Sequence, residues 1–381
     1  MRSRICWPSF AASFAVLAYG AFPAEAQTSL KTLNAGYERL TTIAIPGKPL
    51  LTYDIGFVDP VLRLYYLADR TNAGIDVFDT RTNHFLLRIT GDATVGEFTG
   101  QRSSNNVSGP NGVAPADFGR VWAGDGDSTV KVMDPFTGSV VKSISTGGAA
   151  PANEMSYDAR DHIMLVSNEA DKPPFISLIS TRPGHEYTLA RITFETATNG
   201  VQGSVYNPGT GLFYVNVPQI GGDPTKGEVA VIDPRTATVV KTFPVSDCQA
   251  VGMALGPRRN LLLGCSTLTN SATSPALPTQ VIDDVSGNVT ATIPQIGGSD
   301  EVWYDPGNMT YFLAARYAAG GSMLGTIDAR TNAFLGSLSI AKGSHSVAAD
   351  PYNNHVFVPT PADPTDPACL NGCIGVYGRR G

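Results

Sequence analysis

Residues able to do chemistry recur in this chain just ahead of a series of Asp-Pro-type turns. They are Asp54, Gly112 beside Asn111, Asn153 beside Glu154, Gln202, Val251 near Gln249, Asp300 beside Glu301, and His345. His345 is the one imidazole of the set, and with Asp300 or Asp54 beside it the ring would suit a general base. Glu154, Asp300 and Glu301, with Asp54, offer the oxygen ligands that calcium or magnesium prefers. Asp54, Asn111, Asn153, Gln202, Gln249 and His345 are the expected ligand contacts, joined by Arg102 from a long irregular segment. Two readings stay open: a binding site that could hold a divalent cation, and a water-filled channel whose polar lining satisfies strand ends. His345 has no identifiable nucleophile or orienting partner in the sequence, so catalysis is not established by it.

The rest of the chain narrows the chemistry further. His84, His162, His185 and His355 fall in hairpin turns or on surfaces, which does not support a multi-histidine copper or haem centre. There is no Cys-x-x-Cys-His haem attachment and no nucleotide motif, so the cofactor is unknown, a divalent cation such as calcium being the one candidate.

These residues must be positioned by a repeat. A short apolar strand ending in Val/Ile-x-Asp, a turn and a second strand recur as IDVFDTRTNHFLLRI, VKVMDPFTGSVVKSI, VAVIDPRTATVVKTF and LGTIDARTNAFLGSL. TQVIDDVSGNVTATI is a fifth copy and FISLISTRPGHEYTLARI a degenerate one. Aligned on the residue after the apolar strand, the series runs Asp79, Asp134, Ser180, Asp233, Asp283, Asp328 and Gly378, at intervals of 55, 46, 53, 50, 45 and 50 residues. Each interval holds four short strands and their turns, the size of a propeller blade. No stretch has a helical period. The repeated Asp, followed by Thr-Gly or Thr-Asn, reads as a turn residue that bonds its own backbone. The C-terminal GCIGVYG matches only a third strand, and RLTTIAI (Arg39–Ile45) is available to supply the fourth. The expected fold is therefore all-β, a seven-bladed β-propeller of four-stranded antiparallel blades closed by an N-terminal strand.

FYVNV at Phe213–Val217, VAVIDPRT at Val229–Thr236 and SHSVAADP at Ser344–Pro351 make the chain resemble the YVTN-repeat propellers of the YncE-like family. The resemblance covers nearly the whole chain after the first residues. It implies the propeller fold, and His345 matches the histidine or proline that such repeats place before a first strand. Such propellers include ligand-binding proteins, lactonase-like hydrolases and haem or quinoprotein subunits. Blade two lacks the Asp-Pro turn, blade three ends in Ser180, and Tyr-Val-Thr-Asn never occurs intact.

In a propeller the innermost strands line a channel and the loops entering them meet at one mouth. The longest irregular segment, Gly91–Gly112, joins blades one and two and so reaches that mouth. From it Arg102, Asn105 and Asn106 would meet an anionic or sugar-like ligand, unless the segment is a mobile insertion. Gln219–Gly227 and Thr267–Pro278 join second to third strands and are expected on the opposite face.

Arg2 and Arg4, the apolar stretch Ser9–Phe22 and Ala24-Glu25-Ala26 read as a signal peptide over residues 1–26, leaving one domain over 27–381 that is periplasmic or secreted. No later run is long enough to span a membrane. Without those residues the net charge is −7, and an acidic chain with no basic stripe argues against nucleic acid. Of the four remaining cysteines, Cys369 and Cys373 are expected to pair across an Asn-Gly turn. Cys248 and Cys265 are left undecided, because Cys248 lies beyond the residue that faces Cys265 in a hairpin. The function expected is ligand or partner binding at the polar mouth, by a monomer, with a small molecule or an exported protein as partner. The alternatives are a lactonase-like or metal-assisted hydrolase using the same mouth, and an accessory subunit of an exported complex.

Overall fold

Runs such as LYYLAD (Leu64–Asp69) and GIDVFD (Gly74–Asp79) are buried along their whole length, whereas HFLLRI (His84–Ile89) alternates between exposed and covered positions. Strands pressed between neighbouring sheets on both faces read as continuous apolar segments, and an outermost strand has one face in water. The computed structural model describes residues 36–379, so the expected signal peptide lies outside the described residues.

Among the described residues the strands form seven four-stranded antiparallel sheets arranged as propeller blades. Blade one runs from Gly56 to Ile89, blade two from Val113 to Ser145, and blade three from Met155 to Thr193. Blade four runs from Ser204 to Ser246, blade five from Ala250 to Gly297, and blade six from Val302 to Ser339. Blade seven takes Ala348–Asp350, His355–Thr360 and Cys373–Arg379, with Tyr37–Ala44 as its outermost strand. That strand pairs antiparallel with Cys373–Arg379 from Tyr37 opposite Arg379 to Ala44 opposite Cys373, with one bulge between Arg39 and Thr41. The expected closure is therefore present.

The recurring Asp residues are turn residues. Asp79, Asp134, Asp283 and Asp328 each accept backbone N–H groups two and three residues on, at 2.7–3.2 Å. The residue four positions on is left-handed in each case: Asn83, Gly138, Gly287 and Asn332 have φ between 56° and 75°. Asn and Gly tolerate that backbone best, which explains Thr-Asn and Thr-Gly in the repeat. In all six complete third-to-fourth hairpins a bulge then shifts the register, as at Val77/Phe78 and Val231/Ile232, and adds twist to the outer edge.

Both disulfides are formed. Cys369 pairs with Cys373 as expected, and Cys248 with Cys265 across a Cα separation of 4.5 Å. The second pairing is possible because Asp247 and Gln249, on either side of Cys248, both have φ near 50°, which folds the chain back onto the end of the hairpin. On the chain-entropy account these two loops contribute about 3 and 2 kcal/mol.

Removing Tyr37–Ala44 should open the ring and lower the melting temperature steeply. Ile43→Ala, at a side chain only 5% exposed, should cost roughly 2–5 kcal/mol in urea unfolding. Wild-type stability in both would contradict closure by this strand. At a hairpin, Asp328→Asn keeps an acceptor oxygen and loses only an exposed ion pair with Arg330, so it should cost under about 1 kcal/mol. Asp328→Ala should cost more, because two backbone N–H groups lose their partner.

Candidate functional site

Backbone bonds beside the innermost strands tie blades four to seven together at the channel. The amide of Gly203 donates to Val251 O at 2.9 Å, that of Gly252 to Asp300 O at 2.9 Å, and that of Glu301 to His345 O at 3.0 Å. Gly56 N donates to Ser346 Oγ at 2.8 Å, linking blade one to blade seven. Glycine is required at two of these places: a Cβ on Gly203 or Gly252 would lie 2.4 Å from the next blade's carbonyl oxygen. Counting back from the Asp-type turns, Asp54, Asn111, Asn153, Gln202, Val251, Asp300 and His345 occupy one level around the ring. Ile55, Gly112, Glu154, Gly203, Gly252, Glu301 and Ser346 occupy the level beneath it.

The upper level opens into a cavity of about 410 Å³. Two arginines stand in its wall. Arg70 reaches Asp54 at 2.5 Å and donates through Nε to Asn111 Oδ1 at 2.8 Å. Arg316 reaches Asp300 at 2.9 Å and Asn270 Oδ1 at 3.4 Å, and its buried Nε has no partner. His345 stacks on Tyr53 with ring centroids 4.5 Å apart. Its Nδ1 lies 2.9 Å from Gly343 O, and a carbonyl only accepts, so that nitrogen carries the proton. Nε2 is therefore the nitrogen that gains or loses a proton, 3.7 Å from Asp54 Oδ1, and with that proton on, the ring faces the carboxylate as a cation.

The carboxyl groups divide into two kinds. Burial alone would push Asp54 up, but Arg70, His345 and Arg316 together outweigh it and hold its carboxyl below the ordinary range. Burial pushes Glu154 and Glu301 well above the usual carboxylate range, and the negative charges facing them add to the effect. Glu169 is pushed up to about 7, by burial first and then by Asp54 and Asp300, against an opposing hydrogen bond from Asn153.

Of the residues expected from sequence, Asp54, Asn153, Gln202, Asp300 and His345 line this cavity, together with Glu154 and Glu301. Asn111 and Gln249 are buried and occupied elsewhere. Asn111 orients Arg70 and donates to Ser108 O and Ala152 O. Gln249 clamps two loops, donating to Pro224 O and accepting from Asn199. Arg102 is exposed and does not line the cavity, although Asn105 and Asn106 of the same loop do. That loop is packed down rather than loose: Phe98 is 5% exposed and Thr99 donates to Asp125, which pairs with the fully buried Lys131 at 3.0 Å. Asp54, not Asp300, is the carboxylate beside His345. Among the described residues no three His, Cys, Asp or Glu side chains form a group able to hold a metal ion. As placed, Glu154, Asp300 and Glu301 do not fit a divalent cation, since Asp300 is already held by Arg316.

The expectation for Gln219–Gly227 and Thr267–Pro278 is corrected. Chain direction reverses once between entry to a first strand and exit from the antiparallel second, so loops joining second to third strands return to the mouth. Asn270 lines the cavity and Pro224 meets Gln249 there. The same parity explains what the sequence reading missed. Arg70, Glu169 and Arg316 each follow directly on a second strand: Leu64–Asp69, Ile163–Asn168 and Thr310–Ala315.

Beneath the waist lies a second cavity of about 460 Å³, lined by Phe57, Tyr157, Tyr206, Trp303, Tyr304 and Met253 among others. Phe57 and Trp303 meet edge to face with ring centroids 4.8 Å apart. Ile55, Glu154 and Glu301 border both cavities. Much of the aromatic wall comes from two innermost strands, Ser204–Asn207 and Val302–Asp305.

No family model and no curated protein matches the chain. Solved structures do match its fold. A chain of the "Crystal Structure of Mitotic Checkpoint Complex" superimposes with a TM-score of 0.63 at 12% identity, over 96% of this chain and 98% of that one. A chain of "Kuenenia stuttgartiensis Hydrazine Synthase" gives 0.66 at 13% identity, over 89% and 99%. At that identity the likeness is one of architecture, a seven-bladed β-propeller.

The raised Glu169 has a consequence for stability. Between the ordinary glutamate range and about 7 the folded protein holds this proton and the unfolded chain does not, so stability falls as pH rises through that window. Glu154 and Glu301 act in the same direction. Glu169→Gln should lessen the decline by up to ~1.4 kcal/mol per pH unit between pH 5 and 7. Melting curves with the wild-type slope would show that Glu169 is not protonated by the fold.

Proposed function

We propose that this chain is an exported binding propeller of the YncE-like type that captures a small molecule at its channel mouth. The observation that carries this reading is the cavity wall itself. Arg70 and Arg316 are anchored from separate blades beside Asp54, Asp300 and His345, around an open volume of about 410 Å³. Taking charged groups out of water costs several kcal/mol each unless they are well paired. A channel that only held water would be built more stably from apolar or uncharged side chains. The two disulfides support export, since such bonds persist in oxidising compartments. The VAVIDPRT and SHSVAADP repeats support the family.

A hydrolase is the second reading, and one observation favours it. His345 has its Nδ1 proton fixed on Gly343 O, which leaves Nε2, at the open mouth beside Asp54, as the nitrogen able to exchange a proton with a bound substrate. Water would then be the nucleophile: among the described residues the hydroxyl-bearing side chains at the mouth are Thr52 and Tyr53, and the Tyr53 hydroxyl is engaged with Pro359 O.

A small-molecule library screened by thermal shift, with hits measured by calorimetry, tests the binding reading. Arg316→Gln and His345→Gln should each weaken a mouth ligand roughly ten- to hundred-fold, the range for lost charged hydrogen bonds. Hits indifferent to both variants, or no hits at all, would overturn it. Turnover of lactone or ester hits that disappears in His345→Gln would move the assignment to the hydrolase.

A further inference from the structure

Glu154 and Glu301 stand at the same level of the channel on blades three and six, with Gly203 and Gly252 of blades four and five between them. The glycines leave that part of the ring without side chains, so both glutamates extend into open channel. Glu154 is 7% exposed, and among the described residues its carboxyl has no hydrogen-bond or ion-pair partner. A carboxyl so little exposed, with no partner among the described residues and both cavities beside it, marks a place where something else can bind. The positive groups nearby do not answer it. Arg70 is committed to Asp54 and Asn111, and Arg316 to Asp300.

What lies below the pair is apolar. Phe57, Trp303, Tyr304, Tyr157 and Tyr206 wall the cavity of about 460 Å³ that begins where the two glutamates end. Carboxyl groups above an aromatic wall attract one kind of partner: a positive head with an apolar body. The head gains charge-assisted hydrogen bonds from the glutamates and attraction from the ring faces. A hydrated metal ion would gain nothing from the lower wall, and no metal-holding group is present among the described residues.

We infer that the lower half of the channel is a site for an organic amine, its ammonium at Glu154 and Glu301 and its apolar body against Trp303 and Phe57. This goes beyond the mouth-binding reading and rests on it only in taking the channel as a ligand path. Binding is linked to protons. In the free protein burial and the facing charges of Asp54, Glu169 and Asp300 keep the pair above the carboxylate range, with Arg70, Arg316 and His345 on the mouth side. An arriving ammonium stabilises the ionised form, so a proton leaves to the buffer and affinity rises with pH.

The probes are 2-phenylethylamine, tyramine and hexylamine, each against the alcohol that replaces its amino group, with calcium chloride as the metal control. Calorimetry in two buffers of different ionisation heat should show proton release on amine binding. Each amine should bind at least tenfold more tightly than its alcohol. Glu154→Gln and Glu301→Gln should remove the proton release and weaken the amine roughly ten- to hundred-fold. Trp303→Ala should weaken it while leaving the proton release. Folding of each variant is checked by its melting curve, and the isosteric Gln variants do not depend on repacking. Amines that bind no better than alcohols, amine affinity unchanged by both Gln variants, or displacement by calcium would overturn the inference. Loss of the amine site beside a library hit that depends on Arg316 and His345 would leave the mouth-binding reading standing. Loss of both would remove the two together.

Discussion

Everything in this molecule depends on one antiparallel pairing, between Tyr37–Ala44 and Cys373–Arg379. Each blade buries its faces only against its neighbours, so an open ring would expose two of those faces and two strand edges. The closing strand is also fastened sideways. Tyr37 packs edge-on against Phe312 of blade six at 5.3 Å and its hydroxyl meets Asn308 at 2.7 Å. Arg39 pairs with Asp366 in the loop that precedes the last strand. The channel is a product of that closure. Gly203 to Val251, Gly252 to Asp300, Glu301 to His345 and Gly56 to Ser346 are contacts between blades, and they keep their geometry only in a complete ring.

How much of this was legible follows from which signals are local. The strand-turn-strand phrase with its Asp and Thr-Gly or Thr-Asn is local, because the turn bonds within four residues. Repetition then makes seven blades readable. Ring closure was readable too, since a lone third strand at one end and a lone fourth at the other complete each other. The Cys248–Cys265 bond was not, because it turns on two left-handed residues, Asp247 and Gln249, and neither is a glycine.

The site divides in the same way. Entry positions before each innermost strand could be aligned from the repeat, and six of the seven residues at that level line the cavity. Which of them are free to meet a ligand could not be read, because that depends on partners from other blades. Asn111 and Arg70 belong to blades two and one, and Gln249 is held by Pro224 and Asn199 of a neighbouring blade. Arg70, Glu169 and Arg316 stand at positions the repeat marks as clearly as the entry positions. Loops after a second strand return to the mouth, so the first residue past each second strand is as informative as the residue before each first strand.

The waist poses the sharpest question of economy. At one level of the ring stand three glycines, an isoleucine, a serine and two glutamates. The glycines are fixed by backbone approach: at Gly112, as at Gly203 and Gly252, a Cβ would strike a neighbouring carbonyl, here Asn153 O at 2.2 Å. No such constraint dictates the glutamates. A glutamine would fill nearly the same volume without the penalty of ionisation, and a leucine would continue the aromatic wall below. Neither carboxyl is paired with an arginine as Asp54 and Asp300 are, and Arg316 offsets only part of the burial and charge around Glu301, so the folded state is less stable for having them wherever the unfolded chain would ionise them. Residues that weaken a fold and hold nothing in it together are best understood through what they bind. The step from a polar mouth to an apolar chamber occurs at these two side chains, and on the amine-site inference the chemical selectivity of the channel lies at their level.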